Sequence, residues 1–221
     1  MPERSEPGTV RRVFLASRNP KKIEEMRRIL GEVLLDTGGP GIEVLGLDDV
    51  PAYDEPVEDQ PTFEGNALLK ARAGVRATGL PSLADDSGLC VDALNAMPGV
   101  LSARWAGLAK DDLANNRLLL EQLADVPDER RGAVFRAVVA FVHPAGDRAM
   151  AEHVVHGEMP GRIIREMRGD GGFGYDVVFV PTEQDGRLTS AEMTAGEKDA
   201  ISHRGRSLRA IAPVVADWLR T

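Results

Sequence analysis

The sequence has little cysteine and no long apolar run, and each absence excludes a class of protein. Cys90 is the only cysteine, which excludes an internal disulfide framework and fits a reducing cytosol. The polar start MPERSEPGTVRR precedes a short apolar run, 13–16, whereas a signal peptide or a membrane span needs a longer one. We therefore expect a cytoplasmic protein that does not bind a membrane.

A surplus of positive charge is also missing. The chain has 27 Lys and Arg against 35 Asp and Glu, a formal net charge of -8 at pH 7. This balance argues against a broad electrostatic contact with nucleic acid, although local donors can still bind a phosphorylated small molecule. With 221 residues, 43% of them hydrophobic, the chain has a globular composition. We predict one domain over residues 1–221, with 1–12 as a polar N-terminal tail.

The apolar pattern predicts an α/β fold with a mixed β-sheet in two lobes. Asn19 and Pro20 are typical of the start of a helix, which follows the first predicted strand. Two long β-type runs predict a hairpin that turns at PAGD. The predicted strands are 13–17, 42–47, a segment from 81 that Asp-Ser-Gly interrupts, 133–143, 149–158 and 175–181. The predicted helices are 19–34, 62–78, 111–123 and 198–219, and the predicted loop is 48–61.

The stretch ADDSG sets two carboxylates side by side in an otherwise apolar run. Asp-Ser-Gly is a favourable turn sequence, which accounts for Asp86, Ser87 and Gly88. It does not account for Asp85, because a second buried negative charge is costly without a partner. A hard cation such as Mg²⁺ would offset the repulsion, since carboxylates, waters and substrate phosphates are its usual ligands. A metal or general-base site and a plain turn are the two alternatives.

Two lysine-bearing segments are candidate phosphate sites. SRNPKK lies at a strand-to-helix junction, where the free N–H groups of the helix suit a phosphate. Its candidate ligands are Ser17, Asn19, Lys21 and Lys22. In TFEGNALLKA, on the next predicted helix, the candidates are Glu64, Asn66 and Lys70. Taken alone, a capped helix start and a solvated helix face are the more frequent explanations of such segments.

Two later segments suit the nucleoside part of a ligand. In GDGGFGYD the glycines match the dinucleotide fingerprint in spacing, but a strand follows where that fingerprint needs a helix. The loop then presents Phe173 for stacking with Asp176 as an acceptor, or else Phe173 lies in the core. EKDAISHRGRSL forms either a recognition edge or a solvated helix start. Its candidates are Lys198, Ser202, His203, Arg204 and Arg206.

Several other chemistries lack their motif. The sequence has no G-x-x-x-x-G-K-[ST] and no G-x-S-x-G around Ser87, so a P-loop and a nucleophile elbow are excluded. His153 and His156 are three apart in a strand-like run and would face opposite sides, which argues against zinc. Cys90 is predicted to lie in the core.

The order of these motifs is more specific than any one of them. SRNPKK, TFEGNALLKA, LADDSGLCVDALNAMPGVLSARWAG, GGFGYDVVF and EKDAISHR together resemble the inosine triphosphate pyrophosphatase family, from about Val13 to the last helix. The resemblance implies a long mixed β-sheet flanked by helices, two lobes with a central cleft, and a homodimer. It also implies Mg²⁺-dependent hydrolysis of non-standard purine triphosphates (ITP, dITP, XTP) to the monophosphate and pyrophosphate.

The resemblance also implies roles for individual residues. Asp86 would be the general base and a metal ligand, with Asp85 positioning the metal waters. Glu58 would be the second metal carboxylate, although Glu55 and Asp59 stay open. The triphosphate would lie against Ser17, Arg18, Asn19, Pro20, Lys21, Lys22, Lys70 and Ser87. The base and sugar would lie against Phe173, Gly174, Tyr175, Asp176, Lys198, His203 and Arg204.

Base selectivity would follow from hydrogen-bond donors. Inosine and xanthosine carry a carbonyl at position six, which Arg204 and backbone N–H groups can pair with, whereas the amino group of adenine would leave those donors unpaired. Two alternatives remain open. One is a pyrophosphatase of similar architecture for pyrimidine or modified nucleotides, and the other is a nucleotide-binding module without catalysis.

Overall fold

The computed structural model describes residues 11–36, 42–146 and 149–220. These residues form a seven-stranded mixed sheet in the order β2-β1-β3-β5-β6-β7, with β4 paired to β3. The strands are β1 (Arg11–Leu15), β2 (Ile42–Leu45), β3 (Ser82–Val91), β4 (Met97–Pro98), β5 (Gly132–Pro144), β6 (Met150–Ile163) and β7 (Phe179–Pro181). The helices are α1 (Pro20–Asp36), α2 (Phe63–Thr78), α3 (Asp112–Gln122), α4 (Ala195–Ile201) and α5 (His203–Arg220). The α/β class is confirmed.

The long hairpin is the centre of the sheet. β5 pairs antiparallel with β6 from Gly132↔Arg162 to Pro144↔Met150 and antiparallel with β3 on its other side. β1 runs parallel to both β2 and β3. The predicted hairpin is therefore confirmed, and positions 147–148 of its turn lie outside the described residues.

The predicted interruption of the third strand is wrong. β3 runs unbroken from Ser82 to Val91, and Asp86 and Ser87 pair in register with Val138 and Ala137 of β5. Turn preference is a local property, and a full ladder of hydrogen bonds to a neighbouring strand outweighs it. Gly88 serves close packing here, because a methyl group at that position would overlap the carbonyl of Gly99.

Alternate residues of the strands pack against helices on the two faces of the sheet. On one face Val13 and Leu15 lie in a core with α1 and α5, and on the other face Phe14 and Ala16 pack against α2. A separate buried cluster lies farther along β3 and β5, where Leu89 and Phe135 meet α3 and β7. The helices therefore flank the sheet as predicted, and this separate cluster packs against a different part of β3 and β5.

Several element boundaries differ from the prediction, and β6 runs to Ile163, five residues beyond its predicted end. β1 begins at Arg11, so only residues 1–10 of the predicted tail remain, and these lie outside the described residues. The predicted helix over 198–219 is two helices, because Ser202 has an extended backbone and its hydroxyl accepts from Gly205 N. A 3-10 turn, Asp176–Val178, precedes the short strand β7, which does end at Pro181 as predicted.

Two predicted helix starts are confirmed, and both depend on local signals. Asn19 Oδ1 accepts from the backbone N–H groups of Lys21 and Lys22, at 3.1 and 3.3 Å. Thr62 Oγ1 accepts from Gly65 N at 3.0 Å and caps α2. Among the described helices, none is both long and apolar enough to cross a lipid bilayer.

Candidate active site

The candidate site is built where the first strand ends beside the middle of β3. Ala16 N donates to Leu83 O at 2.8 Å, so the loop that follows β1 opens next to Asp85, Asp86 and Ser87. Ligands of α/β proteins commonly bind in the crevice at the carboxyl ends of parallel strands. The start of α1, including Lys22, thus faces the acidic middle of β3.

The two adjacent aspartates point to opposite faces of the sheet. Asp85 shares the face of Leu83, toward α1 and α5, whereas Asp86 shares the face of Ala84, toward α2. Because successive side chains of a strand alternate, the pair does not form one carboxylate dyad. The prediction that Asp85 positions waters of a metal beside Asp86 is therefore wrong.

Asp85 is neutralised by the protein itself. Its carboxylate is buried and accepts from Lys22 Nζ at 2.7 Å and Ser87 Oγ at 3.1 Å, with Arg204 at 3.4 Å. Burial alone would raise the pKa of Asp85, but the charges of Arg204 and Lys22 outweigh it and hold the pKa well below its ordinary value. Asp85 is therefore a fixed negative charge at any pH near neutrality.

Arg204 is held by a second acid that the sequence analysis did not single out. Its guanidinium pairs with Glu25 of α1 and with Asp85, and its Nη2 donates to Ser87 Oγ at 2.9 Å. All these groups are buried or nearly so, and among the described residues Arg204 Nε has no hydrogen-bond partner. Glu25 and Asp85 thus balance Lys22 and Arg204. The available signal was the three-residue spacing of Lys22 and Glu25, which puts both on one face of α1.

Asp86 lies in a different, acid-rich environment. Lys70 Nζ donates to Asp86 Oδ1 at 3.0 Å and to the carbonyl of Asp85 at 2.8 Å, and Asn66 Nδ2 donates to Asp86 Oδ2 at 3.2 Å. Glu58 contacts the same ammonium at 2.9 Å. Burial raises the pKa of Asp86 above its ordinary value, with Lys70 opposing and Glu58 adding to the effect. Asp86 is consequently a stronger base than a solvated aspartate.

The donor set of Glu58 and Asp86 fits a hard cation. Both carboxylates converge on Lys70 Nζ, so their oxygens lie around one positive group. Among the residues that the structure describes, no group of three or more His, Cys, Asp or Glu surrounds a common metal position. Mg²⁺ suits such a site, because it takes one or two protein carboxylates and completes its shell with water and phosphate.

Glu58 is the one of the three open candidates that lies at the site. Glu55 instead pairs with Arg18 at 2.6 Å, and Asp59 accepts from Gln60 Nε2. The main chain of Glu58 is also held, because Arg104 Nη2 donates to its carbonyl at 3.3 Å.

A small cavity lies on the α1 and α5 side of β3, beside Ser87. Its volume is about 110 Å³. Phe173 is half-buried at its wall, which supports the loop alternative over a core position, and cations lie over the ring at 5.1 Å (Lys198) and 5.6 Å (Arg204). The predicted residues that line this cavity are Asn19, Lys22, Ser87, Phe173, Gly174, Tyr175, Asp176, Lys198, His203 and Arg204.

Polar contacts fix the walls of this cavity. Asp176 Oδ2 accepts from Lys198 Nζ at 2.6 Å and from Phe173 N at 2.9 Å. His203 is buried and stacks on Phe135, with centroids 4.9 Å apart and planes 10° apart. Burial, followed by the charge of Arg204, lowers the pKa of His203 well below its ordinary value, so the imidazole is neutral.

The comparisons with known proteins agree on one family. The family model described as "Ham1 family" matches residues 13–214. The chain belongs to the Ham1 family. A curated relative from Nocardia farcinica, named dITP/XTP pyrophosphatase, is 59% identical over 208 residues, covering 94% of this chain and 96% of the relative. A relative of the same name from Corynebacterium efficiens is 54% identical over 93% of this chain and 98% of its own length.

Solved structures of Ham1 proteins share the fold. A dITP/XTP pyrophosphatase from Mycobacterium abscessus is 53% identical with a TM-score of 0.71, covering 91% of this chain and 99% of that chain. The Staphylococcus aureus Ham1 protein is 33% identical with a TM-score of 0.78, covering 94% of this chain and all of that one. The resemblance stated from the motifs, and the fold it implied, are confirmed.

Some predicted residues of this Ham1 chain lie outside the small cavity. Ser17, Arg18 and Pro20 line a neighbouring groove of about 720 Å³, and Lys21 lines a groove of about 370 Å³ behind Phe173. Three other candidates have different partners. Glu64 faces His156 at 3.5 Å, Ser202 caps α5, and Arg206 pairs with Glu183.

Proposed function

We propose that this chain hydrolyses the triphosphates of non-standard purines, dITP and XTP together with ITP, to the nucleoside monophosphate and pyrophosphate. One observation supports this proposal above all. Asp86, Glu58 and Lys70 lie on one side of the middle of β3. A cavity lined by Phe173 and Lys198 lies on the other side. The names of the Ham1 relatives support this substrate class.

The anionic tail of the substrate needs positive charge. Lys22 and Lys70 supply it at the junction between the cavity and the acidic side of β3, and the positive end of the α1 dipole, whose first N–H groups Asn19 caps, adds to it. Ser87 adds a hydroxyl on the cavity side. Most of the catalysis of phosphoryl transfer comes from such positioning and charge stabilisation.

Asp86 and Glu58 would hold Mg²⁺, which when bound supplies charge neutralisation at the phosphates. Asp86 would also orient or deprotonate the water that attacks the α-phosphorus, and its raised pKa favours this proton transfer. Asn66 keeps Asp86 in place by its hydrogen bond to Oδ2.

Base recognition would combine stacking with donors. Phe173 offers an aromatic face at the cavity wall, and Lys198 is a cationic donor next to it. A carbonyl at position six of the purine can accept from such donors, and the amino group of adenine cannot. The mismatch would leave buried donors unpaired, which is the source of strong discrimination.

A product assay across nucleotides tests this function. We expect pyrophosphate and monophosphate from dITP, XTP and ITP with Mg²⁺, much slower release from ATP, dTTP and UTP, and none after chelation. Efficient cleavage of a pyrimidine triphosphate would favour the alternative substrate class. Tight nucleotide binding without turnover at any Mg²⁺ concentration would contradict an enzyme altogether.

A homodimer and a cytoplasmic location stay predictions. Sedimentation equilibrium at several protein concentrations tests the first, with twice the chain mass as the expected result. Fractionation of the native host tests the second.

A further inference from the structure

Helix α3 holds the loop that carries Phe173. Gly174 N donates to Asp112 Oδ2 at 2.8 Å, and Asn116 Nδ2 donates to Gly174 O at 2.8 Å. Asp112 and Asn116 are four residues apart and therefore share one face of the helix. The backbone N–H and the backbone C=O of Gly174 are thus both hydrogen-bonded to side chains in the first turns of α3.

The residue held in this way has an unusual backbone. Gly174 adopts φ +62°, a left-handed conformation that favours glycine. The neighbouring Phe173 N is bonded to Asp176 Oδ2 at 2.9 Å. The backbone is therefore fixed on both sides of the Phe173 side chain, and the plane of its ring depends on those contacts.

The buried side chain of Asn116 serves to hold Gly174 against α3. It is 2% exposed, and its amide nitrogen also donates to Asp112 O at 2.7 Å. Among the described residues its Oδ1 has no hydrogen-bond partner, so the side chain acts only as a donor. Asp112, by contrast, is exposed and lines the cavity beside Phe173.

We infer that Asp112 and Asn116 are positioning residues for purine recognition, an inference that rests on the proposed function. They set the orientation of the Phe173 ring on which the base stacks, without touching the phosphates. Their loss therefore weakens binding of the base and its discrimination, and leaves the chemical step with Asp86 unchanged.

The chain offers a matched control in the adjacent residue. Asn115 is equally buried, at 2%, and lies in the same helical turn. Its amide serves a different segment, accepting from Ala106 N at 2.7 Å and donating to Ala103 O at 3.2 Å. Replacing it removes a buried amide from α3 without releasing Gly174.

A double-mutant cycle with Phe173 tests the inference. For pyrophosphate release from dITP, Asn116→Ala should raise KM about tenfold with little change in kcat, and should reduce the preference for dITP over dATP. The same substitution made on top of Phe173→Leu should cost less than twofold more. Asn115→Ala should change kcat/KM by the same factor with Phe or Leu at position 173.

Asp112→Ala is the second variant, because the exposed position keeps folding intact. It should show the same dependence on Phe173 with a smaller change in KM. Full additivity of either variant with Phe173→Leu, or a fall in kcat at constant KM, would overturn the inference while the wild-type enzyme remained active. Failure of the proposed function is a separate result, namely a wild-type protein that releases no pyrophosphate from any purine triphosphate.

Discussion

Replacing each of the adjacent aspartates by asparagine should produce opposite phenotypes. Asp85→Asn removes the negative charge that faces Lys22 and Arg204, and Glu25 alone remains to balance the half-buried Lys22 and the buried Arg204. Breaking a buried ion pair from one side costs about 3–5 kcal/mol, because the partner is left uncompensated. We expect the free energy of unfolding to fall by about that amount.

Asp86→Asn should cost far less stability. Lys70 keeps Glu58 and the carbonyl of Asp85 as partners, and the asparagine oxygen can still accept from it. The loss is therefore on the order of one ordinary hydrogen bond, about 1 kcal/mol or less. Turnover should instead fall by roughly 10²–10⁴-fold, the usual contribution of a general base.

Urea unfolding and pyrophosphate release, measured on the same preparations, compare the two variants. Asp217→Asn is the control, because Asp217 pairs with Arg220 on the exposed side of α5 and its loss should change neither quantity measurably. Equal destabilisation by Asp85→Asn and Asp86→Asn would refute the assignment of the two side chains to different faces. Wild-type turnover in Asp86→Asn would refute its role as the base.

Two further predictions concern stability. His203 is held neutral by burial, so its folded pKa lies below the ordinary 6.5 and its contribution, complete above pH 6.5, is lost as the pH falls. The free energy of unfolding should therefore fall between pH 7.5 and 5.5, because the unfolded chain takes up a proton on His203 that the folded chain does not. Urea titrations at several pH values should show a shallower pH dependence for His203→Asn than for the wild type, and an equal dependence would contradict the reasoning. Gly88→Ala should lower the free energy of unfolding by about 1–3 kcal/mol, because the added methyl group would overlap Gly99 and Ser102. Gly31→Ala is the control, since it lies in open space on α1 and should raise the thermal midpoint. An unchanged free energy of unfolding in Gly88→Ala would contradict the packing argument.

The parts of the fold that depend on local signals were predictable. Asn19 and Thr62 identify the starts of α1 and α2, because a capping side chain acts on the N–H groups of its own helix. The hairpin of β5 and β6 follows from two adjacent β-type runs. The error at Asp86 and Ser87 has a non-local cause, since β5 joins β3 from some fifty residues away along the chain.

The same limit applies to the site. The motifs identified Lys22, Lys70 and Arg204 as charged candidates, but the partners of Lys22 and Arg204 lie far away in the sequence. Arg204 pairs with Glu25 across 179 residues, and Asn116 reaches Gly174 across 58. A sequence pattern shows which residue types are present, and only the sheet order decides which of them meet.

Successive side chains of β3 face opposite sides of the sheet, so the neighbouring carboxylates of Asp85 and Asp86 lie in different electrostatic environments. On the side of α1 and α5, Glu25 and Asp85 are matched by Lys22 and Arg204, so that face adds rigidity and almost no net charge. On the side of α2, Glu58 and Asp86 share only Lys70, which leaves an excess of one negative charge. Such an excess would attract the proposed divalent cation, and binding it would turn the local charge positive. A triphosphate would then meet a positive site inside an acidic protein, which would explain how a chain with net charge -8 binds the proposed anionic substrate.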